Sequence, residues 1–137
     1  MMKNFEVEYS WLNNSIIKGI NQLPEHSEHY FYNKYVDIKQ FEYFQMDMIH
    51  LNSNWKYKIP HFNTKTSNDE QELVTLFNIF KAEDTLINKK NILRLRSFNF
   101  PFYIWLNGSF VGFSKGSERY LEFEITNLLC PDSNELI

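Results

Sequence analysis

Residues 100–129, FPFYIWLNGSFVGFSKGSERYLEFEITNLL, decide the fold of this chain. Asn107-Gly108 sits between two apolar runs, and both residues tolerate the positive φ that a two-residue type I′ turn demands at its central positions. A hairpin is predicted there. With the turn closed at that point, Leu106 faces Ser109, Trp105 faces Phe110, Ile104 faces Val111 and Phe102 faces Phe113. Alternation then puts Phe102, Ile104, Leu106, Val111 and Phe113 on one face, that of a sandwich core. The other face carries Tyr103, Trp105 and Phe110, with Gly112 opposite Tyr103. Both faces need cover. A further strand is predicted over 121–125, where Leu121, Phe123 and Ile125 alternate with Glu122 and Glu124.

The flanking chain reads in the same way. Residues 55–59 form a strand with Trp55, Tyr57 and Ile59 on one face and Lys56 and Lys58 on the other, stopped by Pro60. A polar loop follows over 60–69, then a strand over 72–81 and a charged connection over 82–90. The strand predicted at 92–97 turns Leu93 and Leu95 inward and Arg94 and Arg96 outward. After a turn at 127–129 and a loop at 131–134, a last strand begins at 135–137. Residues 1–50 read as an irregular, aromatic-rich arm in which 37–48 fits either a short helix or a strand. Many short strands with polar turns predict an all-β antiparallel sandwich in one domain, 1–137, with 1–50 as arm and 51–137 as sandwich.

Composition agrees with this class. Aromatic residues make up 18% of the 137 positions, and flat side chains suit a half-buried pleated surface. With only 4 Gly, turns must fall to Asn and Asp, as at Asn13-Asn14, Asn52-Ser53-Asn54 and Ser67-Asn68-Asp69. Lys plus Arg 14 against Asp plus Glu 17 gives −3, too mild a charge to steer the chain to nucleic acid or anionic lipid. The single cysteine, Cys130, cannot form an internal disulfide, and its place before Pro131 suggests a small core filler. The first residues, MMKNFEVEYSW, lack an apolar targeting region and no run approaches membrane-spanning length, so a cytoplasmic location without membrane contact is expected.

Three joined elements carry a family resemblance: FYIWLNG at 102–108, VGFS at 111–114, and EFEIT at 122–126 after a polar turn. They resemble the N-terminal jelly-roll domain of the β-galactosidases of glycoside hydrolase family 2, whose members run close to FYVWLNG, VGYS and EFDIT in that order. Upstream, INQLPEHS at 20–27 is similar to the family's NRLPAHS segment, LNSNWKY at 51–57 to its LNGxWKF strand, and 92–96 to the strand before the hairpin. The resemblance implies a galactose-binding-type jelly roll with an extended N-terminal arm. It also contains one large omission, between Tyr57 and Glu72, where the family carries a PSNW strand and a loop whose Asn touches the galactosyl group. No residue here matches that Asn. A second sugar-contacting residue, an Asp beyond the last strand, would fall after Ile137, and the family's catalytic glutamates sit on a separate barrel that 137 residues cannot hold. What the resemblance implies is therefore an accessory domain without catalytic activity, structural and at most assisting carbohydrate binding. Two alternatives stand beside it: a free-standing carbohydrate-binding module, and an interaction module pairing with a larger glycosidase subunit.

The residues themselves offer little chemistry. Glu122 and Glu124 share one strand face, whereas a glycosidase needs carboxyl groups opposed across a sugar at roughly 5–9.5 Å, so a solvated acidic face is the better reading. His26-Ser27-Glu28-His29 has metal-like spacing but no completing ligand, and a capping or packing role for His26 is preferred. His50 and His61 reveal no partner. No cofactor and no metal site are expected. Trp55 and Trp105 are read as core, while Trp11, on the arm, is a candidate sugar-stacking platform, with Ser117, Glu118 and Arg119 of the polar loop 114–119 as candidate sugar contacts. The partners expected are galactosides or other glycans, weakly, and either a second copy of the chain or other domains of a glycosidase. The omission should leave an edge beside Tyr103, Trp105 and Phe110, covered by residues 1–50 or by that second copy.

Overall fold

The computed structural model describes residues 7–25, 49–58 and 74–137. The expectations for 26–48, including His26 to His29, and for 59–73, including Ile59 and His61, lie outside the described residues. In chain order the elements are α1 (Ser10–Asn13), β1 (Gly19–Ile20), β2 (Lys56–Lys58), β3 (Thr75–Lys81), α2 (Asp84–Ile87) and β4 (Ile92–Phe98). Then follow β5 (Phe102–Leu106), β6 (Ser109–Ser114), β7 (Ser117–Glu124), a 3-10 turn at Thr126–Leu128, and β8 (Ser133–Leu136).

Among the described residues the strands make one sheet in the order β1-β6-β5-β8-β3-β2 and a second of β4 and β7, with antiparallel pairing throughout. The core lies between them. Leu93, Leu121 and Phe123 of the small sheet meet Ile104, Leu106, Val111 and Leu136 of the large one, and Phe80 and Phe102 pack at the margin. The fold is an all-β sandwich.

The decisive hairpin closes where the sequence places it. Asn107 and Gly108 have φ of 51° and 79°, and Leu106 pairs with Ser109 and Trp105 with Phe110. Beyond that the predicted register fails. A bulge at Val111 shifts the pairing by one, so Ile104 opposes Gly112, Tyr103 opposes Phe113 and Phe102 opposes Ser114. An extra residue reverses the parity of everything after it. Phe113 therefore leaves the predicted core face and packs on the outer one, its ring 4.8 Å from that of Tyr103. Gly112 takes the core-facing place instead, and the ring of Phe123 fills the space that a side chain there would need, with Phe123 Cε1 2.5 Å from where a Cβ would lie.

Residues 19–23 of the arm have regular pairing that the sequence did not suggest. Gly19 and Ile20 pair with Ser114 and Phe113 at the edge of the large sheet. Gln22 then bridges to Phe123, and the Leu23 N–H donates to the Glu122 carbonyl at 2.8 Å. Within five residues the chain crosses from one sheet to the other and closes that side of the sandwich. Asn21, with φ of 58°, makes the bend.

Other expectations need correction. Trp55 and Tyr57 are not core residues: they are 37% and 81% exposed. Among the described residues the buried core cluster draws on β4 to β8, with Phe80 of β3 at its margin, and includes no residue of β2. Residues 117–119 belong to β7 rather than a loop, because Lys115-Gly116 alone makes the connection, with Gly116 at φ 97°. The predicted connection 82–90 contains the single turn α2. Cys130 is exposed and is not a core filler; Leu128 and Leu129 before it pack against the core instead.

Candidate functional site

The acidic pair on β7 divides. Strand register sets Glu122 opposite Arg94 and Glu124 opposite Ile92. Glu122 is 6% exposed, which corrects its reading as a solvated residue, and its carboxylate accepts from Arg94 Nε at 2.9 Å and Nη2 at 2.6 Å. The Arg94 guanidinium also lies 4.5 Å from the Tyr120 ring centroid. Both bonds commit this carboxylate to a guanidinium on the neighbouring strand. Glu124 is exposed, accepts from the Thr126 hydroxyl at 3.1 Å and faces Lys90 Nζ at 4.0 Å. One carboxylate is thus neutralised and the other sits on a surface strand rather than in a cleft.

The candidate sugar contacts fall in two places. Trp11 lies on the outer face of the large sheet, its ring centroid 5.5 Å from Phe113, 5.7 Å from Phe110 and 6.1 Å from Tyr103. With its ring against three others it covers the face that the sequence left bare. The Tyr103 hydroxyl donates to the Glu8 carbonyl at 2.7 Å, and Lys115 Nζ donates to the Asn14 carbonyl, so polar contacts pin both ends of this segment. Burial, with the nearby Tyr9 and Glu8, pushes the Tyr103 phenol up to about 12. Glu8 in turn accepts from the Ser10 hydroxyl and N–H, which hold its carboxyl below the ordinary value. Trp105 is buried on the same face, as expected, with its ring 6.0 Å from Tyr103.

Ser117, Glu118 and Arg119 are on β7. The Ser117 hydroxyl accepts from the Arg119 N–H at 3.1 Å, and Arg119 reaches Glu25 of the arm at 3.5 Å. Glu118 and Arg119 are exposed. None of the described contacts joins them to Trp11. Among the described residues no group of three or more His, Cys, Asp or Glu could hold a metal ion, and no helix is long and apolar enough to cross a membrane.

Sequence reasoning missed the most connected polar group. Asn107 Nδ2 donates to the Leu128 carbonyl at 2.8 Å and to Asn134 Oδ1 at 2.9 Å, and its Oδ1 accepts the Glu135 N–H at 2.9 Å. Asn134, fully buried, returns two bonds to the Cys130 backbone. The residue was singled out for its φ alone.

No protein-family model matches the sequence. Curated relatives do. The β-galactosidase of Clostridium acetobutylicum is 24% identical over 189 aligned positions, which take in 98% of this chain and 21% of that protein. The β-galactosidase of Halalkalibacterium halodurans is 22% identical over 179 positions, 93% of this chain and 18% of that protein. The β-galactosidase large subunit of Leuconostoc lactis is 21% identical over 191 positions, 96% of this chain and 30% of that protein. All three alignments run longer than the 137 residues available, so each relative carries inserted positions that this chain lacks. The chain spans between 18% and 30% of the length of these relatives, and most of it is distantly related to that small part of a β-galactosidase.

Proposed function

We propose that this chain is a non-catalytic accessory domain of the β-galactosidase type, a jelly roll of glycoside hydrolase family 2 that is structural and at most assists carbohydrate binding. The observation that carries the reading is the one-sided coverage, 98% of this chain against 21% of the Clostridium acetobutylicum protein. Further support comes from the sandwich, the Asn107-Gly108 hairpin and the Arg94 partner of Glu122, which takes one of the two carboxylates out of use. Sugar contact, within this proposal, falls to the exposed Glu118 and Arg119 with Ser117, and Trp11 contributes by holding the arm against the sheet. A cytoplasmic location belongs to the same reading. Hydrolysis of a chromogenic galactoside by the full chain tests it, with no turnover expected. Turnover that survives purification and vanishes in Glu122→Gln or Glu124→Gln would overturn it.

A further inference from the structure

The face expected to need cover from residues 1–50 or a second copy carries Trp11, and exposed apolar side chains lie elsewhere. Tyr57 of β2 pairs with Leu76 of β3, and Leu76 alternates with Asn78, which pairs with the core residue Leu136. Val74, Leu76 and Tyr57 thus continue the inner face of the large sheet beyond the reach of β4 and β7. They are 68%, 36% and 81% exposed. β2 ends the sheet, so among the described strands its outer edge has no neighbour.

We propose that this end of the sandwich takes an extended segment of another polypeptide, one that alternates apolar with acidic residues and adds as a strand along β2. An added strand satisfies the free N–H and C=O groups of the edge, and its apolar residues cover Tyr57 and Leu76. The sequence of β2, Lys56-Tyr57-Lys58, selects the partner by charge. Two-fold pairing of β2 with a second copy about Tyr57 sets Lys56 against the copy's Lys58, like charges directly opposite, which disfavours self-association. An acidic residue at the same place is attracted. The proposal rests on the exposure and charge of this edge and not on the β-galactosidase reading, and either can fail without the other.

The test is a titration of the full chain into a fluorescein-labelled, capped octapeptide, Glu-Ile-Glu-Val-Glu-Ile-Glu-Thr, followed by anisotropy. Saturable binding is expected, weakened about tenfold or more by the double change Lys56→Glu, Lys58→Glu and by raised salt. The exposed Tyr57→Ser should lose binding while its thermal unfolding stays that of the parent, which keeps a folding defect apart from a docking defect. The same peptide with Lys for Glu should bind at least about tenfold more weakly. Equal binding of the lysine peptide, no saturable binding of the acidic one, or a concentration-dependent homodimer in light scattering that Tyr57→Ser abolishes would each overturn the proposal.

Discussion

The Asn107 carboxamide donates to Asn134 Oδ1 at 2.9 Å and so fastens the hairpin turn to β8, the last described strand of the chain. Because Asn107 also accepts the Glu135 N–H and donates to the Leu128 carbonyl, one side chain satisfies three groups, on Leu128, Asn134 and Glu135. Asn107→Gly keeps the positive φ of 51° accessible and removes these bonds together with the 3.6 Å contact to Cys130 Sγ. It should destabilise the chain by about 1–3 kcal/mol in urea unfolding. A change within error of zero would mean that the turn needs backbone freedom alone.

Gly112→Ala tests the bulge. The added methyl meets Phe123 Cε1 at 2.5 Å and the Ile20 carbonyl at 2.7 Å, so both a core ring and the arm backbone stand in its way. A loss of about 1–3 kcal/mol is expected, as for overpacking of a filled core. Phe123→Leu in the same chain should recover part of it, because the ring is the nearer obstacle. Wild-type stability for Gly112→Ala would show that position 112 does not face the core.

These two sites mark how far the sequence could be read. The turn at Asn107-Gly108 and the inward sets Leu93 and Leu121, Phe123, Ile125 were legible because period-2 alternation and a positive-φ pair are local signals. The bulge at Val111 was not, since no local rule announces an extra residue, and one misplaced residue sent Phe113 to the wrong face. Alternation also misled at Tyr57, where the pattern is that of a half-buried strand but the side chain is 81% exposed. Glu122 looked solvated for a related reason: its burial comes from Arg94 across the sheet, a pairing that the strands show only once they are in register.

For Glu122 the consequence is a role in stability. Glu122→Ala strands the Arg94 guanidinium, whose side chain is 27% exposed, and should cost about 3 kcal/mol. The double change Arg94→Met, Glu122→Leu should restore much of that loss, because packing two apolar chains avoids the desolvation that the ion pair incurs. A double-mutant cycle in urea measures both. A coupling near zero would remove the ion pair from the account of the small sheet.

Trp105→Ala should cost about 3–5 kcal/mol, for it empties a site that is 7% exposed and already packed against Tyr103 and Phe110. Its effect on glycan binding should follow folding alone. A variant that keeps its melting temperature yet loses affinity for a sugar would make Trp105 a binding platform after all.

The Tyr103 hydroxyl ties the arm to the sheet only while it carries its proton, since it donates to the Glu8 carbonyl. Its phenol is raised from 10.0 to about 12 in the folded chain, chiefly by burial, and the neutral form is therefore favoured by folding. The sign follows from linkage: the unfolded chain loses this proton first, so the contribution is complete below pH 10 and disappears as pH rises to 12. Tyr103→Phe keeps the ring contacts with Trp11 and Phe113 but has no proton to lose. Urea unfolding of the two chains at a series of alkaline pH values should show wild type falling relative to Tyr103→Phe across that window. Parallel curves through pH 12 would mean that the phenol is solvated and that its bond to the Glu8 carbonyl does not hold the arm in place.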